Sequence, residues 1–508
     1  MAQVQLSSGT CPSTHRTRST PARRCPAGAA SAAGAPLHVP AAGMDRSRGG
    51  RGAGTSRRGA AGGVPQGHSV GGRRLPAIAS AFLQHVGEHT QRASSEKVAQ
   101  RLVRFFQVLV PRFTDDPDSP RPLGIDLNVV RPLCGEGVPD DIPALRAALW
   151  KVMLGYLPTD LFQWDGTLEA ARASYQKFLQ ELLKDFGADD AARGTASPSA
   201  PSAAGAAGGS DGGRSDKELD AVLTQISKDV VRTRIELAFF GRSVDGTSES
   251  LCGIGREPES VDVVNPSCHL DVLARVLLVY AWLNRGVLYV QGMNELCAPL
   301  YFAFAQDPLS GASAEADTFF CFSHMMATMR DAFVKSLDDS DNGMLGRIEQ
   351  YSVLLREKDV QVWGYLQNLQ VQPVFYTVRW LTLMLAQELN MPDTLRLWDS
   401  LLSDFARPHP LLLYLCVAMV MRVREAILAF DFSDCMKLLQ HYPPIPIEEL
   451  LQDALRLRAS DLIPAGASNR DVAARGVRHM VLAPGRSSVI AAASAPVWGG
   501  PISSWFRR

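Results

Sequence analysis

Apolar side chains recur with a helical period through most of this chain. Tyr175, Phe178 and Leu182, for example, are spaced by three and four residues and therefore fall on one face of a helix. The same spacing predicts further helices in eight stretches, at 269–283, 314–336, 344–368, 374–387, 394–402, 411–430, 432–441 and 447–458. Proline, glycine and asparagine separate these stretches, and no set of alternating strands occurs in the sequence. The pattern predicts an all-α domain of many packed helices.

Three segments show no such period and have low-complexity composition. Residues 1–74 are rich in Ala, Gly, Ser, Arg and Pro, with no lysine and a single acidic residue. Such a composition cannot bury enough apolar surface to fold, so we predict that this segment is disordered. We predict the same for an insert at about 188–214 and for most of the tail, 461–508. A helical lead-in at 75–133 then precedes the main domain at 134–460, and a protein beginning near residue 120 is expected to keep its activity.

The bulk composition narrows the class of protein. With 46% hydrophobic and 20% charged residues, the chain has enough apolar material for a sizeable core. Its formal net charge is zero, which predicts no nucleic-acid partner and no direct electrostatic binding to a membrane. No apolar run reaches the roughly 18 residues that a membrane span needs. The nine cysteines form no Cys-x-x-Cys pair and lie mostly in apolar segments, as is typical of reduced, buried thiols in a cytosolic protein.

The first 74 residues leave one alternative open for localisation. An organelle transit peptide has the same arginine- and serine-rich, acid-poor composition. A plain disordered extension, or a start codon set upstream of the true start at Met44, also explains it and is favoured. We therefore predict a cytoplasmic protein that reaches internal membranes only through a partner.

Three short motifs within the helical region carry the functional signal. They are Gly137-Val-Pro followed by Arg146-Ala-Ala-Leu-Trp150, Ile226-Ser-Lys-Asp229-Val-Val-Arg232, and Tyr289-Val-Gln291-Gly292-Met293-Asn294. In this order they resemble the Arg-x-x-x-Trp, Ile-x-x-Asp-x-x-Arg and Tyr-x-Gln-Gly-Met signatures of the TBC domain, the Rab GTPase-activating module. Any one of these motifs is weak because it occurs by chance in many helices. Three of them in order, all in helical context, are specific.

Further stretches narrow the resemblance to one subgroup of this family, TBC domain family member thirteen. These stretches are 314–322, 335–340, 379–383, 395–399 and 435–440. The likeness covers about two-thirds of the chain and leaves out both tails and the insert. It implies a TBC domain that acts on a Rab-family small GTPase in its GTP form, and so regulates vesicle trafficking.

The resemblance implies that Arg232 and Gln291 are the catalytic pair. Phosphoryl transfer spreads negative charge over the γ-phosphate, and its catalysis is mostly positioning and electrostatics. An arginine is always charged and can direct two donors at phosphate oxygens. A glutamine amide can orient the attacking water, and by the family resemblance Gln291 substitutes for the glutamine of the GTPase. The protein then needs no cofactor of its own, because the Rab holds both GTP and Mg²⁺.

Four further residues are expected to support this pair. Asp229 lies one helical turn before the arginine and is expected to hold its side chain. Gly292 has no Cβ and would let the backbone approach a partner closely. Tyr289 and Asn294 are expected to support the glutamine from the same segment.

These motifs also have structural interpretations. An aspartate and an arginine three residues apart on a helix commonly form only a solvated ion pair, and an isolated glutamine is commonly a cap or a surface amide. A non-catalytic Rab-binding scaffold of the same fold is therefore the alternative function, although the presence of both Arg232 and Gln291 favours catalysis. We interpret four other residues as packing and internal ion-pair residues: Arg146, Trp150, Trp380 and Trp398.

A calcium-binding loop is a third alternative. The stretch from Asp338 to Glu349 falls on the EF-hand register, with Gly343 at the sixth position. Ser340 replaces a carboxylate at the third position, and the sequence has no second loop to pair with this one. We therefore expect no calcium binding.

Two departures from the family pattern bear on the choice of Rab rather than on the chemistry. Arg285 follows Asn284 where the pattern often has proline, and it either faces the Rab or solvates the turn. The segment between Phe240 and His269 is also short and rich in glycine.

Overall fold

The computed structural model describes residues 69–461, apart from 71–72, 94, 115–121, 194–211, 245–255, 330–332, 334–342 and 405–409. In this part of the chain there are eighteen α-helices and two antiparallel pairs of two-residue strands. The all-α prediction is therefore confirmed.

The N-terminal part contains both strand pairs and three helices. In chain order these are β1 (Ser69–Val70), β2 (Arg73–Arg74), α1 (Ala77–Arg92), α2 (Glu96–Leu109), β3 (Arg112–Phe113), β4 (Pro122–Leu123) and α3 (Leu127–Gly135). The pair β1–β2 lies at the end of the segment 1–74, so the prediction of disorder is wrong there. Two glycines follow β1 in the sequence, and such a pair favours a hairpin despite the surrounding composition. Residues 1–68 lie outside the described part.

Helices α1 and α2 pack into the same core as the rest of the domain. Phe82 of α1 and Phe105 of α2 are buried, and α1 contacts helices further along the chain. A protein beginning near residue 120 lacks this part of the core, and its activity stays a prediction.

The central part contains six helices. They are α4 (Pro143–Met153), α5 (Trp164–Arg193), α6 (Gly212–Val230), α7 (Ala238–Gly241), α8 (His269–Leu283) and α9 (Met293–Ala305). Helices α5 and α6 extend into both ends of the insert predicted at 188–214, which corrects its boundaries. The sequence from 188 to 193 is Ala-Asp-Asp-Ala-Ala-Arg, and its alanines have high helix propensity despite the low complexity. Residues 194–211 lie outside the described part.

Nine helices complete the domain. They are α10 (Ala314–Met329), α11 (Met344–Lys358), α12 (Val360–Asn368), α13 (Val374–Thr382), α14 (Met391–Ser403), α15 (Pro410–Arg422), α16 (Arg424–Ala429), α17 (Phe432–Gln440) and α18 (Ile447–Asp461). Five of the twelve calcium-loop residues, 338–342, lie outside the described part, as do 330–332 and 334–336 at the end of the predicted helix 314–336. Residues 343–349 lead into and form the start of α11.

Two predicted long helices are each divided in the structure. The stretch 344–368 breaks at Asp359, whose side chain accepts a hydrogen bond from the backbone N–H of Val362 at 2.9 Å and caps α12. The stretch 411–430 breaks at Val423, between α15 and α16. Apolar periodicity continues across both breaks, so it does not reveal them.

A buried ion pair joins α4 to α14. Asp399 of α14 is fully buried and accepts hydrogen bonds from Arg146 Nε at 3.1 Å and Arg146 Nη2 at 3.0 Å. Trp150 Nε1 and the backbone N–H of Val138 also donate to this carboxylate, each at 2.8 Å. Arg146 and Trp150 therefore support the fold, as predicted from the first motif. The indoles of Trp380 and Trp398 are also buried.

Two other predictions can be checked on the described residues. Six cysteines fall among them, and all six are buried and outside disulfides, as predicted. In the same part of the chain, no helix combines the length and the hydropathy required to cross a bilayer.

The packing of α6, α8 and α9 positions the candidate site. Helices α8 and α9 are buried along most of their length and pack against each other and against α10. Helix α6 packs along α8 and also contacts α9. This arrangement brings the end of α6 beside the start of α9.

Candidate functional site

Two turns meet where α6 ends and α9 begins. The arginine turn, residues 231–236, follows α6 and contains Arg232. The glutamine turn, residues 284–292, joins α8 to α9 and contains Gln291. The structure thus brings together the second and third motifs, although their hydrogen-bonded residues lie 60 positions apart in the sequence.

A network of hydrogen bonds ties the two turns together. Tyr289 Oη donates to Asp229 Oδ2 at 2.9 Å and lies 3.0 Å from Asn294 Oδ1. A phenol has one proton, and the carboxylate is the stronger acceptor for it. Asn294 Oδ1 accepts from the backbone N–H of Gly292 at 3.2 Å, while Asn294 Nδ2 donates to Thr233 Oγ1 at 2.9 Å. Thr233 Oγ1 in turn donates to the backbone carbonyl of Asp229 at 2.9 Å, which closes the network.

Asp229 fixes the backbone of the arginine turn and makes no hydrogen bond to the side chain of Arg232, so the predicted contact is corrected. The carboxylate accepts instead from Gln225 Nε2 at 3.1 Å and from the tyrosine. The backbone carbonyl of Asp229 accepts from the Arg232 N–H at 3.1 Å. Helix α6 ends at Val230, and a spacing of three residues places two side chains on one face only within a continuous helix. Burial raises the pKa of Asp229, while its hydrogen bonds and the charge of Arg232 act in the opposite direction.

Arg232 is exposed at the edge formed by the two turns. Among the described residues, no side-chain hydrogen bond or ion pair engages its guanidinium, although its charge is attracted to that of Asp229. Its backbone is nevertheless held, because Thr233, the next residue, is buried and bonded on both sides. The result is a fixed backbone that carries a cationic side chain available to another molecule.

The glutamine turn has its own backbone constraint. Gly292 is buried and has a φ of +101° at the start of α9, a conformation that favours glycine. Its backbone therefore requires glycine whether or not a partner approaches it. Leu288 in the same turn also has a positive φ, of 57°. Non-glycine residues in this region cost on the order of 1–3 kcal/mol each and concentrate at functional sites. Gln291 is partly buried directly before the glycine.

Some residues of the site were missed by sequence reasoning. Thr233 directly follows the motif residue Arg232, so its position in the sequence could have identified it as part of the site. Arg234, by contrast, looks like an ordinary surface arginine, but it is buried with 6% of its surface exposed. Its Nη1 donates to the backbone carbonyl of Leu389 at 2.7 Å, and Glu295 Oε2 lies 3.4 Å from its Nε. No local pattern predicts these contacts, because their partners lie far along the chain.

Comparisons with known proteins identify relatives of this chain. A family model described as the Rab-GTPase-TBC domain matches residues 261–428, which include Gln291 and begin after Arg232. TBC1 domain family member 13 of Homo sapiens is 35% identical over 394 residues, covering 69% of this chain and 98% of that protein. A TBC domain-containing protein of Schizosaccharomyces pombe is 29% identical over 455 residues, covering 69% of this chain and 72% of that protein.

A solved structure shares the fold. The crystal structure of the Ypt/Rab-GAP domain of Gyp1p superposes with a TM-score of 0.52 at 20% identity. The match covers 72% of this chain and 99% of that domain. At this identity, the match supports the architecture alone.

Proposed function

This chain belongs to the family of Rab-GTPase-TBC domain proteins, and we propose that it accelerates GTP hydrolysis by a Rab-family GTPase. In this proposal Arg232 and Gln291 enter the active site of the partner. The observation that carries the proposal is the joining of the arginine turn to the glutamine turn by one hydrogen-bond network. The likeness to TBC1 domain family member 13, which extends over 98% of that protein, supports it further.

The exposed guanidinium of Arg232 is suited to stabilising a transition state in a partner protein. Among described residues its guanidinium has no hydrogen-bonded partner, so no internal ion pair has to be broken before it reaches phosphate oxygens. Its planar donors match the oxygens of a transferring phosphoryl group, and a guanidinium is a cation that can direct two donors at them. The network fixes the backbone in advance, so less reorganisation is needed when the transition state forms.

Gln291 is proposed to orient the attacking water. Its amide has both an acceptor for a water proton and a donor for a γ-phosphate oxygen. The left-handed backbone of Gly292 and the amide of Asn294 hold the turn that presents this side chain. A water molecule held in line with the breaking bond is already in the orientation that the reaction needs, which lowers the barrier to hydrolysis.

The partner is proposed to supply the remaining chemistry. The Rab holds GTP and Mg²⁺, and the chain described here has no hydrolytic activity of its own. We further propose that the protein acts in the cytoplasm and meets membranes through the Rab, where it regulates vesicle trafficking.

A hydrolysis screen tests this function. The full chain is mixed with a panel of GTP-loaded Rab proteins, and phosphate release is followed under single-turnover conditions. We expect strong acceleration for at least one Rab, and loss of that acceleration with Arg232→Ala. Arg285→Ala is the matched control, since Arg285 is an exposed arginine on the glutamine turn. It is expected to keep the maximal rate. Binding of Rabs without acceleration of any of them would contradict the proposal and favour a scaffold.

A further inference from the structure

We infer that Arg234 is a positioning residue that holds the arginine turn, and with it Arg232, in the orientation needed for hydrolysis. This inference rests on the proposed function. Arg234 lies two residues after Arg232, yet its side chain has only 5% of its surface exposed. The two arginines thus leave one turn in opposite directions, one toward solvent and one into the protein.

The guanidinium of Arg234 anchors the turn to the segment before α14. Its Nη1 donates to the backbone carbonyl of Leu389 at 2.7 Å, and its Nη2 donates to that of Ala386. Thr394 Oγ1, in the first turn of α14, lies 3.5 Å from the same Nη2. These carbonyls follow two residues with left-handed backbone, Met384 and Leu385, so they belong to a tightly folded segment. The arginine turn is therefore attached to a segment whose backbone is itself hydrogen-bonded, from the Ala386 N–H to the Leu383 carbonyl at 2.9 Å and from the Glu388 N–H to the Leu385 carbonyl at 3.0 Å.

The same guanidinium also faces the helix that carries the glutamine turn. Glu295 lies in the first turn of α9, and its Oε2 is 3.4 Å from Arg234 Nε, at ion-pair distance. Burial raises the pKa of Glu295, and the charge of Arg234 acts in the opposite direction. Arg234 therefore contacts Glu236 of its own turn, the start of α9 and the segment before α14 at once. A planar cation with five donors can serve all three, whereas an apolar side chain can serve none.

The backbone of Arg234 makes these contacts important for the position of Arg232. Its φ is +50°, in the left-handed region that non-glycine residues rarely adopt. Such a conformation persists only where surrounding contacts hold it. Without the guanidinium contacts, we expect the turn to relax and the guanidinium of Arg232 to shift. A misplacement of about 1 Å can reduce a catalysed rate by about 10²-fold.

A second buried arginine gives a matched control. Arg347 of α11 has the same exposed fraction, 6%, but it lies in a regular helix that packs mainly against α12, α13 and α15. If Arg234 were only a structural cation, Arg234→Met would, like Arg347→Met, leave the rate per folded molecule unchanged, whatever either substitution does to stability.

The test combines kinetics with hydrogen exchange on the full chain. Single-turnover hydrolysis on a responsive Rab is measured at saturating activator for five proteins: the wild type, Arg234→Met, Arg347→Met, Arg232→Ala, and the double variant that combines Arg232→Ala with Arg234→Met. We expect Arg234→Met to lower the maximal rate by about 10–10²-fold with little change in affinity for the Rab. Arg347→Met should keep the rate. In the Arg232→Ala background, Arg234→Met should have no further effect, because it acts through Arg232.

Hydrogen exchange separates this inference from the proposed function. We expect faster amide exchange at 232–237 in Arg234→Met and not in Arg347→Met. Unchanged exchange, or an unchanged rate while Arg232→Ala is inactive, would overturn the positioning role and leave the proposed function standing. Faster exchange together with full activity of Arg232→Ala would instead overturn the proposed function and, with it, the catalytic purpose of the positioning. An equal loss of rate with and without Arg232 would also overturn the inference.

Discussion

Arg146 and Arg232 come from two neighbouring motifs of the same family signature, yet the side chain of one is buried and that of the other is exposed. The side chain of Arg146 is 7% exposed and is hydrogen-bonded to Asp399 and to the backbone of Val138. Arg232 is exposed, and no described residue is hydrogen-bonded to its guanidinium. A cation whose donors are satisfied internally supports the fold. A cation on a fixed backbone with unused donors is suited to a partner.

The difference originates in how each backbone is held. Arg146 lies within the regular helix α4, and its burial lowers its pKa, but the ion pair and hydrogen bonds with Asp399 outweigh burial and raise the pKa overall. Arg232 lies beyond the end of α6, where side-chain hydrogen bonds of Thr233 and Asn294 add to the backbone hydrogen bonds of the turn. The backbone of the structural arginine is thus held by a regular helix, while the backbone of the exposed arginine is held by a turn with additional side-chain hydrogen bonds.

The largest expected effect is on the rate of GTP hydrolysis when Arg232 and Gln291, one on each turn, are replaced. Arg232→Ala should lower the maximal single-turnover rate on a responsive Rab by on the order of 10³–10⁵, as for arginines supplied in trans elsewhere. Gln291→Ala should also be severe. The double variant should lose less than the product of the two single losses, because both residues act on one transition state. Strictly multiplicative losses would indicate that the two turns act independently.

The next largest effect is on stability at the buried arginine. Asp399→Ala leaves the charge of Arg146 buried without its main partner, so the free energy of unfolding should fall by about 3–5 kcal/mol. Arg232→Ala removes no side-chain hydrogen bond or ion pair among the described residues and should change this free energy by less than about 0.5 kcal/mol. Urea unfolding of both variants measures this contrast. A destabilisation by Arg232→Ala as large as that by Asp399→Ala would remove the distinction between the two arginines.

A smaller effect is expected for two tyrosines that make the same bond in different places. Tyr289 donates to Asp229 at the site, and Tyr156 donates to the buried Asp317, each at 2.9 Å. Both Tyr289→Phe and Tyr156→Phe leave a buried carboxylate with one donor fewer, which should reduce stability by about 1–3 kcal/mol. Only Tyr289→Phe should also lower the hydrolysis rate per folded molecule. If both variants kept the wild-type hydrolysis rate per folded molecule, the network would have no role in presenting Arg232 and Gln291.

The smallest effect is expected at the N-terminus. Deletion of residues 1–68 should leave both the melting temperature and the stimulated rate unchanged, because no residue of the site lies near that segment in sequence and its composition favours no core. Deletion of residues 1–119 should destabilise the protein, since it removes the buried Phe82 and Phe105. Thermal unfolding and phosphate release compare the two truncations. A loss of stimulated rate on removing residues 1–68 would assign them to the contact with the Rab or its membrane.

Sequence reasoning succeeded where local signals determine the structure. The predicted helix 269–283 has the limits of α8, because its apolar period is continuous and a turn follows it. The second and third motifs were expected to act together, and the structure places their residues within hydrogen-bond distance. Ordered motifs carry this information because each of them fixes a short backbone segment.

Sequence reasoning failed where distant contacts determine the structure. The spacing of Asp229 and Arg232 indicated an ion pair on one helix face, but α6 ends between them. Arg234 gave no signal, because its partners Ala386 and Leu389 lie more than 150 positions away. Positions in turns depend on which segments pack beside them, and a helical period does not contain that information.

The most direct test of the account is the substitution Arg232→Lys. Lysine keeps the charge but lacks the planar pair of donors, so binding of the GTP-loaded Rab should change little while transition-state stabilisation falls. Single-turnover hydrolysis and affinity for the Rab are measured on the same preparations, with Arg232→Ala beside it. The account predicts a small residual rate for lysine, a smaller one for alanine, and near-normal affinity for both. Near-normal hydrolysis by both variants would contradict the catalytic role of Arg232 and leave a Rab-binding scaffold as the function.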